Sequence, residues 1–198
     1  VVPTEPSWAA VDLVIEQGKT KVVSLTVDEN PVSADHVSFS PVLRATVADV
    51  GVPENYAYCT LPDDDAIATI DRKTGLVVDW IAVGHQPMGL ALDPMQRTAY
   101  VALKGEDAIG VIALNDRREL RRIPLTPGDQ PTDLAVIASR SMLVSVNSGS
   151  DSVGFFDLRT EMEIARVTTE QRPKTIQVDR DGQRAYVVSD RANSITVI

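Results

Sequence analysis

Apolar and polar residues alternate in short runs along most of the chain, and residues typical of turns separate these runs. Examples are DLAVIA (133–138), LVSVN (143–147), VGFFDL (153–158) and EIARVTT (163–169), which are rich in β-branched or aromatic residues. Such runs are typical of β-strands. Since no segment keeps a helical period, the pattern predicts an all-β chain with almost no helix.

The runs repeat in one register. Proline opens successive units at Pro87, Pro131 and Pro173, which lie 44 and 42 residues apart. Two further landmarks keep intervals of 42, 44 and 42 residues, namely Tyr58, Tyr100, Val144, Tyr186 and Asp65, Asp107, Asp151, Asn193. A period of this length that contains four short strands is the signature of β-propeller blades. Each unit is therefore predicted to form a four-stranded antiparallel sheet that buries its faces against its neighbours.

The repeat also gives the domain organisation. Residues 1–10 form an N-terminal extension, and residues 11–198 are predicted to be a partial propeller domain. The repeats lie near 11–35, 36–83, 88–126, 132–169 and 174–198, with an insertion at 41–54 that lengthens the second of them. The sequence contains about seventeen predicted strands, which correspond to about four blades.

Two stretches carry a family resemblance. GLALDPMQRTAYVAL followed by DAIGVIAL, and KTIQVDRDGQRAYVVSDRANSITVI, resemble the YVTN-type β-propeller repeat of bacteria and archaea. The resemblance implies a ring of about seven blades, so we expect either that the chain is part of a larger ring or that another chain completes it. It does not choose a function, because the repeat occurs in cell-surface proteins, in quinoprotein dehydrogenase subunits and in lactonase-like enzymes.

Composition argues against nucleic-acid binding and against a transmembrane helix. The formal net charge is −9 and the sequence pI is about 4.7, whereas binding to nucleic acid needs clustered Lys and Arg. No run of eighteen apolar residues is present, so no transmembrane helix is expected. The predicted partners are other protein chains.

Candidate site residues lie in the loops that join successive blades and in the turns between the second and third strands. In this architecture both sets emerge on one face, and that face is acidic. The residues are His85, Gln86, Asp129, Arg172, Asp63 and Asp64. They fit a surface for a cation or a basic partner. The alternative is a solvated rim on which Asp and Asn hold tight turns, and the repeated Asp65, Asp107, Asp151 and Asn193 belong to that alternative.

Catalytic and metal motifs are scarce. PDDDA (62–66) could offer Ca²⁺ the carboxylates of Asp63 and Asp65, but it lacks the spacing of a calcium loop. No cofactor is predicted. The sequence holds no GxSxG, HExxH, P-loop or GxGxxG motif, so no catalytic residue is assigned.

Three functions fit these observations. The preferred one is a non-catalytic, exported propeller in the periplasm, outside the cell or on its surface, where it acts as a protein-interaction or scaffolding module. This module could belong to a larger surface or electron-transfer assembly. The alternatives are a subunit of a periplasmic quinoprotein-type dehydrogenase complex and a lactonase-like, metal-dependent hydrolase.

Overall fold

The structure, a computed structural model, describes residues 56–93 and 97–198, all of which belong to one compact unit. These residues form fourteen β-strands and two short 3-10 turns, at Lys104–Glu106 and Ala138–Arg140. The described part of the chain contains no α-helix, hence no helix that could cross a membrane. The prediction of an all-β fold is confirmed.

The strands form four antiparallel sheets in which each strand pairs with the next along the chain. Blade A holds β1 (Tyr56–Leu61), β2 (Ala66–Asp71) and β3 (Val77–Ala82). Blade B holds β4 (Pro87–Asp93), β5 (Thr98–Leu103), β6 (Ala108–Ala113) and β7 (Arg118–Pro124). Blade C holds β8 (Pro131–Ile137), β9 (Met142–Asn147), β10 (Ser152–Asp157) and β11 (Glu163–Thr168). Blade D holds β12 (Pro173–Val178), β13 (Ala185–Ser189) and β14 (Ser194–Val197).

The repeat register shows how the blades correspond. β1 occupies the place of β5 and β9, so blade A supplies the second to fourth strands of a blade, and blade D supplies the first to third. The first strands β4, β8 and β12 contact one another in order, and the fourth strands β3 and β7 also lie together. The sheets therefore stack side by side, with first strands against first strands, as in part of a β-propeller.

Three hydrophobic clusters fill the gaps between neighbouring blades. Between A and B they include Tyr58, Ile67, Ile81, Leu92 and Leu103; between B and C, Tyr100, Ile109, Leu134, Leu143 and Phe156; between C and D, Val144, Val146, Val153, Ile176 and Val187. Alternate residues of one strand thus enter different clusters, because successive side chains point to opposite faces of a sheet. Each blade shields its neighbour's apolar face, as the repeat predicted.

Asp-Gly connections join strands where the sequence predicts turns. Between β2 and β3, the Asp71 carboxylate accepts hydrogen bonds from the backbone N–H groups of Lys73 (2.8 Å) and Thr74 (2.9 Å), and Gly75 has a left-handed φ of 72°. Between β12 and β13, the Asp179 carboxylate accepts the N–H of Gln183 at 2.7 Å. These side chains replace backbone partners at the turn, which is why Asp is favoured there.

Ion pairs link the outer rims of neighbouring blades. Asp79 of blade A binds Arg117 of blade B at 3.1 Å, and Arg121 of blade B binds Glu161 of blade C through its Nε at 2.9 Å. Asp79 and Arg121 occupy the same repeat position, as do Arg117 and Glu161, so the charges are exchanged between the two interfaces. Opposite charges therefore meet at both interfaces, where each partly exposed pair contributes at most about 1 kcal/mol.

Several predictions concern residues outside the described ranges. These are the N-terminal extension at 1–10, the repeat near 11–35, the insertion at 41–54 and the start of the repeat at 36–83. The chosen repeat boundaries stay a prediction.

Candidate loop face

One face of the blades gathers the two loop sets that the sequence placed together. We call it the loop face: it comprises the turns 62–65, 104–107, 148–151 and 190–193 and the connections 83–86, 125–130 and 169–172. Backbone hydrogen bonds join the two sets, for example from Lys104 N to Gln86 O (3.1 Å) and from Gly149 N to Asp129 O (2.9 Å). A network of hydrogen bonds therefore joins the loops of the loop face across the blade junctions.

An aspartate that recurs in each unit supplies acceptors for this hydrogen-bond network. Asp65, Asp107 and Asp151 all adopt the left-handed conformation, with φ between 48° and 50°. Their carboxylates accept the backbone N–H of the loop leading to the next blade, from Gln86 (2.9 Å), Gln130 (2.7 Å) and Arg172 (2.7 Å). Asp and Asn tolerate this conformation better than most residues because the short polar side chain can bond locally. The repeated carboxylates thus hold turns, as the rim alternative predicted.

The hydrogen bond from the Arg172 N–H to the Asp151 carboxylate gives a simple prediction. Asp151→Ala removes the acceptor for the Arg172 N–H, so we expect the free energy of unfolding to fall by about 1 kcal/mol. Asp151→Asn keeps an amide oxygen in the same place, and blade D already carries Asn193 at this position, so we expect that variant to stay within about 0.5 kcal/mol of the parent. Urea unfolding of the three proteins measures both values. Equal losses in the two variants would contradict a stabilising role for the hydrogen bond between Asp151 and the Arg172 N–H.

His85 forms the most distinctive polar group of the loop face. Its Nδ1 lies 2.9 Å from Oδ2 of Asp65, and its backbone N–H donates to Oε1 of Glu106 at 2.7 Å. The side chain is 60% exposed. Because Nδ1 faces the carboxylate, Nε2 is the ring nitrogen left for a ligand. The Asp65 carboxylate raises the pKa of His85, through its hydrogen bond first and its charge second, and Glu106 adds to the effect. In return, the hydrogen bond from His85 lowers the pKa of Asp65.

The coupling predicts a pH window. The raised His85 pKa means that the pair stabilises the fold below the unfolded His pKa of about 6.5 and loses this effect as pH rises through the folded value. The lowered Asp65 pKa means that its contribution is present above about pH 4 and is lost as pH falls through the folded value. NMR titration of the His85 ring should show a pKa above that of a free histidine, and Asp65→Asn should lower it. An unchanged pKa in Asp65→Asn would contradict the pairing.

Asp129 occupies the repeat position of His85 but lies in a different environment. Its side chain is only 1% exposed and is bound by the guanidinium of Arg166, with contacts of 2.7 Å to Oδ1 and 2.8 Å to Oδ2. Ser150 Oγ donates to Oδ1 at 2.7 Å, and Thr126 N–H donates to Oδ2 at 3.0 Å. Burial is the largest single cause and raises the pKa of Asp129, but the hydrogen bonds from Arg166, Ser150 and Thr126 and the charge of Arg166 together lower it, so the net shift is downward. The carboxylate is committed to the interior of the protein.

The remaining candidates are exposed. Asp63 and Asp64 lie in the turn before Asp65, with Asp64 N donating to Leu61 O at 3.2 Å. Arg172 is exposed, and its backbone N–H donates to the Asp151 carboxylate. Both carboxylate oxygens of Asp65 contact Nδ1 of His85. Within residues 56–93 and 97–198, no three His, Cys, Asp or Glu side chains are grouped to hold a metal ion. The structure thus brings Asp65, His85 and Gln86 together, and the assignment of a ligand site stays a prediction.

Sequence reasoning named Asp129 but did not identify Arg166 as its partner. Arg166 also binds Glu163, with Nε 2.6 Å from Oε1, and blade B repeats this arrangement with Arg122 bonded to Glu119 and Glu106. The signal was present, because both Glu-x-x-Arg pairs fall at the same repeat position 44 residues apart. Comparison of the outer strands across units would have found it.

Comparisons with known proteins support the fold. No protein-family model matches the sequence, and no curated protein matches it. Among solved structures, the chain is similar to hydrazine synthase of Kuenenia stuttgartiensis, with a TM-score of 0.67, 18% identity and coverage of 75% of this chain and 44% of that one. It is also similar to a putative 6-phosphogluconolactonase from Bacteroides uniformis, with a TM-score of 0.65, 15% identity and coverage of 75% and 48%. The chain thus spans less than half the length of either structure, and at these identities the likeness shows the fold alone.

Proposed function

We propose that this chain is a non-catalytic, exported propeller module, in the periplasm or on the cell surface, whose blades bind other protein chains. The observation that carries the proposal is a recurring exposed apolar side chain on the fourth strands of three blades. Val78 on β3, Leu120 on β7 and Ile164 on β11 share one repeat position and are 51%, 41% and 57% exposed. Apolar patches left exposed are typical of protein-binding surfaces.

The central blades support this reasoning. At the position of Trp80 they carry Arg122 and Arg166, each of which binds carboxylates. Blade A presents an indole there, which suits an apolar partner. The extracellular location rests on the resemblance to the YVTN-type repeat.

A second candidate, a lactonase-like hydrolase, is favoured by one observation. The Asp65 carboxylate orients the His85 ring at Nδ1 and leaves Nε2 to face solvent, which is the arrangement of a general base held by an acid. The third candidate, a dehydrogenase subunit, predicts that a cofactor-bearing chain binds the loop face.

A hydrolysis assay separates the first two functions. The purified chain and His85→Ala are each incubated with γ- and δ-lactones, with and without Ca²⁺ or Zn²⁺. The proposal predicts that, with either protein present, the lactones hydrolyse only at their uncatalysed rate. Turnover by the parent chain that is lost in His85→Ala would overturn the proposal and support the hydrolase.

A further inference from the structure

A second face of the blades lies at the opposite end of the strands from the loop face. We call it the turn face: it comprises Arg97 and the turns 138–141 and 179–184, between first and second strands, and the turns 72–76, 114–117 and 158–162, between third and fourth strands. Both sets fall at one end of each sheet because consecutive strands run antiparallel. Backbone hydrogen bonds join the two sets, from Leu114 N to Arg97 O (3.2 Å) and from Leu158 N to Ser141 O (2.9 Å).

The turn face and the loop face carry opposite charge. The turn face holds eight Lys and Arg side chains against four Asp and Glu, a formal charge of +4, whereas the loop face holds three against nine, or −6 with His85 neutral. A strand of six residues such as β5 separates the two faces by about 20 Å, which is about twice the Debye length of about 10 Å at 0.1 M salt. The positive charge of the turn face therefore acts locally, although the whole chain has a net charge of −9.

The turns that follow the first strands hold arginines without an ion-pair partner. Arg97, Arg140 and Arg184 lie in these turns of blades B, C and D, are exposed, and form no ion pair within residues 56–93 and 97–198. The turns of blades C and D are in contact, since a Cβ on Gly182 would lie 3.1 Å from Ser139 Oγ. Guanidinium groups bind phosphate through two parallel hydrogen bonds, so this row of arginines suits a surface of phosphate groups.

Exposed apolar side chains lie beside the cations of the turn face. Leu76 and Met162 occupy the same repeat position, at the ends of the turns 72–76 and 158–162, and are 66% and 67% exposed. No other large apolar side chain of the described residues is more exposed. Lys73 and Arg159 precede them in the two turns. Apolar side chains next to cations are typical of surfaces that lie in the headgroup region of a membrane, where affinity comes from buried apolar area and from attraction to anionic lipids.

We propose that the turn face binds the surface of a lipid bilayer that contains anionic phospholipids. The arginines bind lipid phosphates, and Leu76 and Met162 enter the boundary between headgroups and acyl chains. A soluble phosphate or polysaccharide would bind the arginines but would leave both apolar side chains in water, so the two features together favour a bilayer. The acidic loop face then points away from the membrane, because an anionic surface repels it. This inference goes beyond the proposed protein-binding function.

Co-sedimentation with vesicles tests the proposal. The intact chain is mixed with vesicles of phosphatidylcholine alone and with vesicles of phosphatidylcholine and phosphatidylglycerol in equal parts. We expect binding only to the mixed vesicles. We also expect added NaCl to release the protein, because salt screens the attraction between the arginines and the lipid phosphates.

Two double variants locate the binding face. Arg140→Gln with Arg184→Gln should lower the partition coefficient about 25-fold, because each Lys or Arg near an anionic surface contributes about fivefold. Lys174→Gln with Arg191→Gln makes the same change in net charge at the loop face, where Lys174 lies 3.9 Å from Asp190, and should stay within about twofold of the parent. The four replaced residues are all exposed, so circular dichroism should show an unchanged fold.

A third variant measures the contribution of the apolar side chains. Leu76→Ser with Met162→Ser leaves every charge in place and should lower the partition coefficient about tenfold. Binding of soluble polyphosphate should be the same for this variant and for the parent.

The proposal is overturned if the parent chain does not bind the mixed vesicles at low salt, or if the two charge variants lose binding equally. Polyphosphate binding as tight as vesicle binding, with no effect of the apolar variant on vesicles, would assign the turn face to a soluble polyanion and would also overturn it. The proposed protein-binding residues Val78, Leu120 and Ile164 lie on the fourth strands and are intact in every variant. Failure of either proposal is therefore recognised separately.

Discussion

Asp129→Ala is expected to lower the free energy of unfolding by about 3 kcal/mol, because it leaves the Arg166 guanidinium without the carboxylate that binds both of its terminal nitrogens. The replaced side chain is almost completely buried, so water cannot fully substitute for it. Ser150 and the N–H of Thr126 lose their acceptor at the same time. Urea unfolding monitored by circular dichroism gives the difference between the variant and the parent.

The matched control lies one blade away. Glu106→Ala breaks the pair with Arg122, which shares the repeat position of Arg166, and removes the acceptor of the His85 N–H. Both side chains of this pair are partly exposed, so the expected loss is only about 1 kcal/mol. The Asp129 effect should also depend on pH: its pKa is lowered in the folded state, so its contribution is present above about pH 4 and is lost as pH falls through the folded value. Equal losses for Asp129→Ala and Glu106→Ala would show that burial does not distinguish the two pairs.

Gly89→Ala is the second change with a large expected effect. A Cβ built on Gly89 of β4 would lie 2.5 Å from the Cα of Asp133 on β8, and 2.9 Å from the carbonyl oxygen of Thr132. Backbone atoms cannot move aside as the end of a side chain can, so β4 and β8 would have to separate. We expect a loss of about 3 kcal/mol in the free energy of unfolding.

Gly110→Ala in β6 provides the comparison. Its Cβ would come no closer than 3.3 Å, to Cδ1 of Leu103, which is a movable side chain, and blade A carries Ala68 at the same position. We expect this variant to stay within about 0.5 kcal/mol of the parent. If Gly89→Ala were as well tolerated as Gly110→Ala, the close approach of β4 and β8 would be wrong.

The fold could be predicted because its information is local and repeated. A strand is written in about six alternating residues, and landmarks such as Pro87 and Pro131 or Asp107 and Asp151 recur in a fixed register, so one reading of a unit applies to every other unit. The turn role of the repeated aspartates followed from the same argument. The structure adds the atoms involved, for example the bond from Gln130 N to Asp107.

The details of the loop face could not be predicted in this way, because they depend on residues that differ between units. His85 and Asp129 share a repeat position, yet one faces solvent beside Asp65 and the other is buried against Arg166. Arg166 lies 37 residues from Asp129, and only the stacking of neighbouring blades brings the two together. Spacing along the chain contains no information about which of the two environments a loop residue will enter.

The stacking of blades is tested directly by a nuclear Overhauser measurement between the α-protons of Gly89 and Asp133. Stacked blades place these residues of successive first strands in contact, so a strong cross-peak is predicted, together with one between the amide of Ile176 on β12 and the β-protons of Asp133, whose carboxylate accepts that amide at 2.9 Å. Assigned spectra that lack both cross-peaks, while the pairing within each sheet is intact, would contradict the arrangement of blades about a common axis.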